Sequence, residues 1–272
     1  MRDGVRLALH DLGGTGPTVL LVHAASLCAS MFGPLSRELA PEYHCIAPDL
    51  RGHGRSDHAK GGDLSWQLLA DDVAQVIDQV PPPVLGFGHS LGATLLMLAA
   101  ADRPELVAAV VGYEPVVLTS EAASKYAEAH ADRSGRRRTS FSGPDELRER
   151  LSGRPPMNRL EADALEGYLK DAFRTTPDGR LELVLSPRDE ASLYRAGIGA
   201  DLSMRLSDLA CPVTIITGGD SPDAREIGTG HLLDLLSHAE GITLEGCGHY
   251  GPLEASSRVA EVVRRAFATA LR

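Results

Sequence analysis

The sequence predicts an α/β protein in which a mostly parallel central sheet is flanked on both faces by helices. Three observations predict it. Short apolar runs of strand length alternate with longer segments whose apolar residues recur at helical spacing, the pattern that βαβ crossovers produce. One such run, at 84–87, enters an alanine- and leucine-rich stretch at 93–101 through Gly88-His89-Ser90-Leu91-Gly92, a strand turning sharply into a helix. Finally, 272 residues with 43% hydrophobic content suffice for one domain with a substantial core and an insertion, and two independent domains are not expected.

In chain order, 6–10 and 19–22 read as strands, 30–40 as a helix and 43–47 as a strand. The segment 65–80 repeats Leu68, Leu69, Val73, Val76, Ile77 and Val80 at helical spacing, and Pro81, Pro82 and Pro83 end it. Strand 84–88, helix 93–101 and strand 107–113 follow, and strands 213–217 and 242–245 complete the sheet. Right-handed crossovers bring the carboxyl ends of the strands to one edge, which gathers Ala25, Ser90, Glu114, Asp220 and His249. Between 117 and 203 the alternation stops and the chain becomes helical and charged. Thr119-Ser120-Glu121 and Gly143-Pro144-Asp145 open helices there, and 161–173 has helical apolar spacing. The length and aliphatic helix faces of this segment predict a folded insertion rather than a mobile excursion. The division is a core at 1–116 and 204–272 and a helical cap at 117–203.

Composition removes several classes of function. The formal net charge of -10 disfavours nucleic acid and attachment to anionic lipid. Arg136-Arg137-Arg138 reads as a solvated helix face. No apolar run is long enough for a membrane span, and Met1-Arg2-Asp3-Gly4-Val5 lacks the apolar region of a signal peptide, so the expected location is cytoplasmic. Cys28, Cys45, Cys211 and Cys247 have neither metal-site nor disulfide-framework spacing and read as free, mostly buried thiols. No cofactor or metal motif is present, and the sequence leaves the oligomeric state open.

The chemistry centres on Ser90. A strand that runs into a helix through G-x-S-x-G forces its serine into a strained backbone conformation, and only small residues two positions either side avoid a clash. His23-Ala24-Ala25-Ser26 follows the buried strand at 19–22. Asp49-Leu50-Arg51-Gly52-His53-Gly54-Arg55-Ser56 is a turn-rich segment, and Gly246-Cys247-Gly248-His249-Tyr250 follows the last strand. In this order the motifs resemble those of the α/β-hydrolase fold family, in its esterase, lactonase and epoxide-hydrolase-like branch, over essentially the whole chain. The resemblance is weakest at 117–203, which is similar to the cap that the family inserts after its sixth strand. A serine hydroxyl needs a base as it attacks, and His249 is the candidate. The resemblance assigns the oxyanion hole to the backbone N–H groups of Leu91 and Ala25. His23-Ala24-Ala25 departs from the family's common His-Gly, so a somewhat different loop conformation is expected. His23, His53 and His89 read as structural, and Asp49 and Arg51 as residues that hold the turn.

Two carboxylates compete to orient His249. The family position after the strand before the last falls in Thr217-Gly218-Gly219-Asp220-Ser221-Pro222-Asp223. With Gly218 and Pro222 as register, Ser221 occupies the acid position and Asp220 lies one residue early. Some relatives, including haloalkane dehalogenases and zearalenone lactonases, carry the acid at the end of the sixth strand, where this chain has Glu114. Pro115 is expected to keep Glu114 extended. Glu114 is preferred over Asp220, since a carboxylate at a buried strand end needs a partner such as an imidazole. With only 4% aromatic residues the pocket is expected to be largely aliphatic, with Met31, Phe32, Phe87, Tyr113 and Tyr250 as contributors. The reading is a cofactor-free, metal-free serine hydrolase acting on a small-molecule carboxylic ester or lactone. A thioesterase, an acyl transferase or a carbon–carbon hydrolase would use the same core. A noncatalytic ligand receptor on the same fold is the reading from another class, and intact Ser90 and His249 weigh against it.

Overall fold

The computed structural model describes residues 4–58, 62–200, 202–221, 224–236 and 238–271. The main sheet draws on β1 (Leu9–Gly13), β2 (Thr18–Val22), β3 (His44–Pro48), β4 (Val84–His89) and β5 (Val107–Tyr113). Helices α1 (Gly33–Leu39), α2 (Trp66–Ile77) and α3 (Leu91–Ala101) connect them. The insertion carries α4 (Glu121–Ser134), β6 (Ser140–Phe141), α5 (Pro144–Ser152), α6 (Ala162–Asp171), β7 (Phe173–Thr175), β8 (Leu181–Leu183) and α7 (Pro187–Arg195). The chain then returns through α8 (Ser203–Ser207), β9 (Val213–Gly218), α9 (Gly230–Leu235), β10 (Glu240–Leu244), α10 (Gly251–Glu254) and α11 (Ser256–Ala270).

Seven strands form the main sheet in the order β1-β3-β2-β4-β5-β9-β10. All neighbours are parallel except β1, which runs antiparallel to β3, so its carboxyl end does not reach the common edge as expected. Along β2, Val19 and Leu21 enter one apolar cluster with α1 and α11, while Leu20 and Val22 enter another with α2 and α3. This is the alternation of a strand buried on both faces. Helix α3 is buried through Ala100, which explains its apolar sequence all round. From β2 the chain steps outward to β3, then returns past β2 to β4. The crevice outside the carboxyl ends of β2 and β4 is the topological switch point where open α/β sheets take their ligands.

Several boundaries differ from expectation for physical reasons. Residues 6–10 are not the first strand. Arg6 N–H and its guanidinium bond Asp57, and Ala8 N–H bonds Ser56 Oγ, so this stretch docks on the 49–57 loop and the strand begins at Leu9. The helix expected at 30–40 is a 3₁₀ turn at Ala29–Phe32 followed by α1, which has Pro34 in its first turn. The insertion follows the fifth strand of the sheet, not a sixth. It is also not wholly helical, because β6, β8 and β7 form a small antiparallel sheet. Strands of two or three residues are too short to carry a legible period. Ser120 caps α4 by accepting from Ala123 N–H, as its sequence position implies. Arg136-Arg137-Arg138 lies beyond the end of α4 rather than on a helix face, and Arg137 turns inward to Glu190 and Tyr168. Among the described residues no helix is long and apolar enough to cross a membrane.

Candidate active site

The turn from β4 into α3 leaves no room for side chains beside Ser90. A Cβ on Gly88 would lie 2.3 Å from Ala93 Cα, and one on Gly92 would lie 2.3 Å from the Val22 carbonyl oxygen. Ser90 itself sits at φ 54°, ψ -122°, with its N–H donating to the Tyr113 carbonyl at 2.8 Å. Among the described residues three non-glycine residues have positive φ, namely Ser26, Ser90 and Glu114, and all three belong to this region. Clustered backbone strain of this kind is held by surrounding bonds and marks functional sites.

His249 lies in the turn after β10, and its Nδ1–H donates to Glu114 Oε2 at 2.6 Å. The other Glu114 oxygen accepts the Gly218 N–H at 2.8 Å, so a carboxylate that is 2% exposed has a partner on each oxygen. The extended conformation expected for Glu114 is not found: its φ is 44°. The left-handed turn swings the carboxylate over the sheet edge, and these two bonds offset the strain. Asp220 goes elsewhere. Its carboxylate is half exposed and lies 3.9 Å from the Arg159 guanidinium; among the described residues His249 is not its partner. Pro222 and Asp223, which entered the register argument, lie outside the described residues.

The backbone around His249 is pinned from below. Tyr113 Oη donates to the Gly248 carbonyl and His89 Nε2 to the His249 carbonyl, each at 2.7 Å. Burial holds His89 well below the usual histidine range, so it makes this bond as a neutral ring. The other histidines beside the site are also scaffolding. His23 Nε2 accepts from Leu50 N–H, and His53 Nε2 accepts from Ser26 N–H. Asp49 accepts from His10, Ala29 N–H and Arg55 N–H, and Arg51 is buried in a two-point pair with Asp72. Burial opposes ionisation of Asp49, yet its hydrogen bonds hold the carboxyl down to about 2. All four cysteines are free and buried, and burial raises the Cys247 thiol, which makes it a poor nucleophile.

Ala25 and Leu91 line one cavity with Ser90 and His249. Leu91 is the first residue of α3, so its amide is among the four that no helical carbonyl accepts. The loop after β2, which has Ala24-Ala25 in place of a glycine, carries a positive φ at Ser26, at 66°. That turn is fastened by His53 and by Ser26 Oγ donating to Glu190 Oε1 of α7 at 2.7 Å.

The pocket differs from the expected one. Met31, Phe32, Phe87 and Tyr113 are core residues with at most 1% exposure, and Phe32 packs edge-on against Phe87. Of the five expected contributors only Tyr250 lines the cavity. The wall is largely aliphatic, as expected, through Ala24, Leu27, Leu91, Val116, Leu118 and Leu193, but Trp66, Tyr126 and Tyr194 also join Tyr250 there with His130. Nearness in sequence to Ser90 or to the β2 loop does not imply exposure at the strand ends. Tyr126, His130 and Tyr194 come from the insertion, where no spacing announces them.

A model of the alpha/beta hydrolase family matches residues 19–265. The 2-(acetamidomethylene)succinate hydrolase of Mesorhizobium japonicum is 29% identical over 238 residues, covering 87% of this chain and 83% of that protein. The pimeloyl-[acyl-carrier protein] methyl ester esterase of Xanthomonas campestris pv. campestris is 28% identical over 264 residues, covering 94% and 96%. Among solved structures, that of E-2-(acetamidomethylene)succinate hydrolase superimposes with a TM-score of 0.84 at 26% identity, covering 97% of this chain and 96% of the other.

Proposed function

The chain belongs to the α/β-hydrolase family, and we propose that it is a serine hydrolase that cleaves a carboxylic ester or lactone through an acyl-enzyme. The observation that carries this reading is the 2.6 Å bond from His249 to Glu114, beside a strained elbow serine in the same cavity. Glu114 fixes the imidazole with Nδ1 protonated, which leaves Nε2 to take the Ser90 proton as Oγ attacks the acyl carbon. The oxyanion then forms beside the amides of Leu91 and Ala25, which need no reorganisation to receive it. His249 returns the proton to the departing alkoxide, and the acyl group stays on Ser90. Water, deprotonated by the same imidazole, releases the acid and restores the serine.

In this reading the insertion at 117–203 is a cap that closes the site from water and shapes the pocket. Of the two similar proteins, one is named a hydrolase and the other a methyl ester esterase, and the second name supports an ester as the substrate class. The test is a fluorophosphonate, which reacts with activated serines. The reading predicts one adduct by intact mass, mapped to Ser90, and none in Ser90→Ala. An unlabelled wild type, under conditions that label a control esterase, would overturn it and favour a ligand receptor on this fold.

A further inference from the structure

A second, wider cavity of about 570 Å³ adjoins the site and shares Ala25, Leu27, His130, Tyr194 and Tyr250 with it. The space at Ser90 is narrow, about 50 Å³, and the wider cavity beside it offers room for the rest of a longer substrate. Four arginines line that wider cavity, Arg133, Arg137, Arg150 and Arg154. Arg137 is already neutralised, since Glu190 pairs with it at 2.6 Å and Tyr168 accepts a second bond. Among the described residues none of Arg133, Arg150 and Arg154 has a carboxylate within ion-pair distance. Elsewhere on the insertion, Arg148 pairs with Glu166, Arg159 with Glu254 and Arg195 with Glu128. Arg136 and Arg188 of the insertion likewise have no ion pair among the described residues; what sets Arg133, Arg150 and Arg154 apart is that they line the cavity adjoining Ser90, with Arg133 and Arg154 exposed and Arg150 half-buried.

Arg133 is in the last turn of α4 and Arg150 in the last turn of α5, where the helix dipole already favours a cation. Arg154 lies beyond α5, and the dipole does not account for three such groups facing one space. Arg133 lies three residues from His130 on α4, and burial first, then Arg133 and His249, push the His130 imidazole down to about 4. A neutral His130 on the wall between the cavities adds a hydrogen-bonding group without another charge.

We propose that Arg133, Arg150 and Arg154 form an anion subsite, so that the substrate is an ester carrying a carboxylate or phosphate beyond its reacting acyl bond. The three guanidiniums supply planar, multiply donating partners for such an oxyanion. This assignment rests on the serine hydrolase reading for its chemistry but not for its binding step. Mono-p-nitrophenyl glutarate and p-nitrophenyl pentanoate, of equal length, separate the charged from the neutral acyl group. The wild type is expected to favour the anionic ester at least tenfold in kcat/KM, through KM, and to lose this preference as salt rises. In Arg133→Gln/Arg150→Gln/Arg154→Gln the preference falls at least tenfold. Equal use of the two esters by the wild type, or a preference that survives in the variant and at high salt, would overturn the proposal. Calorimetric titration of Ser90→Ala with monomethyl glutarate and with S-acetyl phosphopantetheine reads binding alone. Binding of either that is lost with the three arginines supports the subsite and identifies the anion, even if Ser90 proves unreactive. Binding of neither overturns it.

Discussion

Gly92 has so little space that one methyl group tests the elbow. An alanine Cβ would press on the carbonyl oxygens of Val22 and His23 at 2.3 and 2.4 Å, both of them backbone atoms, at the end of the buried parallel strand β2 and just after it. Relief requires α3 to move off β2. Gly92→Ala is therefore predicted to cost at least about 3 kcal/mol in urea unfolding, and a loss below about 1 kcal/mol would mean that the turn is looser than described. Ser90 and His249 were legible because strained turns and a histidine after the last strand are local features. Which carboxylate bonds His249 was only half legible. Glu114 and Asp220 both end strands that neighbour each other in the sheet, and chain position does not decide which reaches His249. A left-handed φ ahead of Pro115 turns Glu114 inward, and the sequence does not announce that conformation. The pocket residues were mostly misread because Met31, Phe32, Phe87 and Tyr113 sit beside motif residues yet pack beneath the sheet edge.

Helix α7 couples the insertion to the loop that follows β2. Glu190, 4% exposed, accepts from Ser26 Oγ and from Arg137, while the Leu193 carbonyl accepts from Trp66 Nε1 at 2.9 Å. At the other side of the insertion, Ser30 bonds Asp171, and Glu161 N–H donates to the Leu253 carbonyl. Glu190→Gln leaves the Arg137 guanidinium without its carboxylate and weakens the hold on Ser26, next to the Ala25 amide. The expected result is a loss of about 1–3 kcal/mol of stability. In addition, kcat for a neutral ester should fall about tenfold with little change in KM, since the proposed oxyanion donors would serve the transition state. An increase in KM alone would assign Glu190 to substrate binding instead. At this scale β2 to β5, β9, β10, α2 and α3 were readable from period and length, while the first strand was placed too early and α9 and α11 were not read. The small sheet β6-β8-β7 was not, because its strands are held by cross-strand bonds rather than by an apolar alternation.

His23, His53 and His89 are buried, and burial is the main cause that lowers each of their pKa values, His53 to about 3. A folded-state pKa below the ordinary value near 6.5 means that the unfolded chain binds the proton first. Stability from these groups is complete above about pH 6.5 and is lost as pH falls, each fully titrating group costing about 1.4 kcal/mol per pH unit. The melting temperature is predicted to drop progressively from pH 7 to pH 5, and a flat profile over that range would contradict neutral buried rings. These rings also hold the loops of the site, so the same acid range should release Ser26 and the turn around His249. The fold as a whole gathers the end of β5, the turn after β4 and the loop after β10 at one edge. We propose that this convergence activates Ser90 through His249 and Glu114. Its most direct test is the rate of fluorophosphonate labelling at Ser90 in wild type, Glu114→Gln and Asp220→Asn, each checked for equal stability. Slowing on the order of 10³-fold in Glu114→Gln, with Asp220→Asn within about twofold of wild type, is the predicted result; the reverse order, or equal rates in all three, would contradict it.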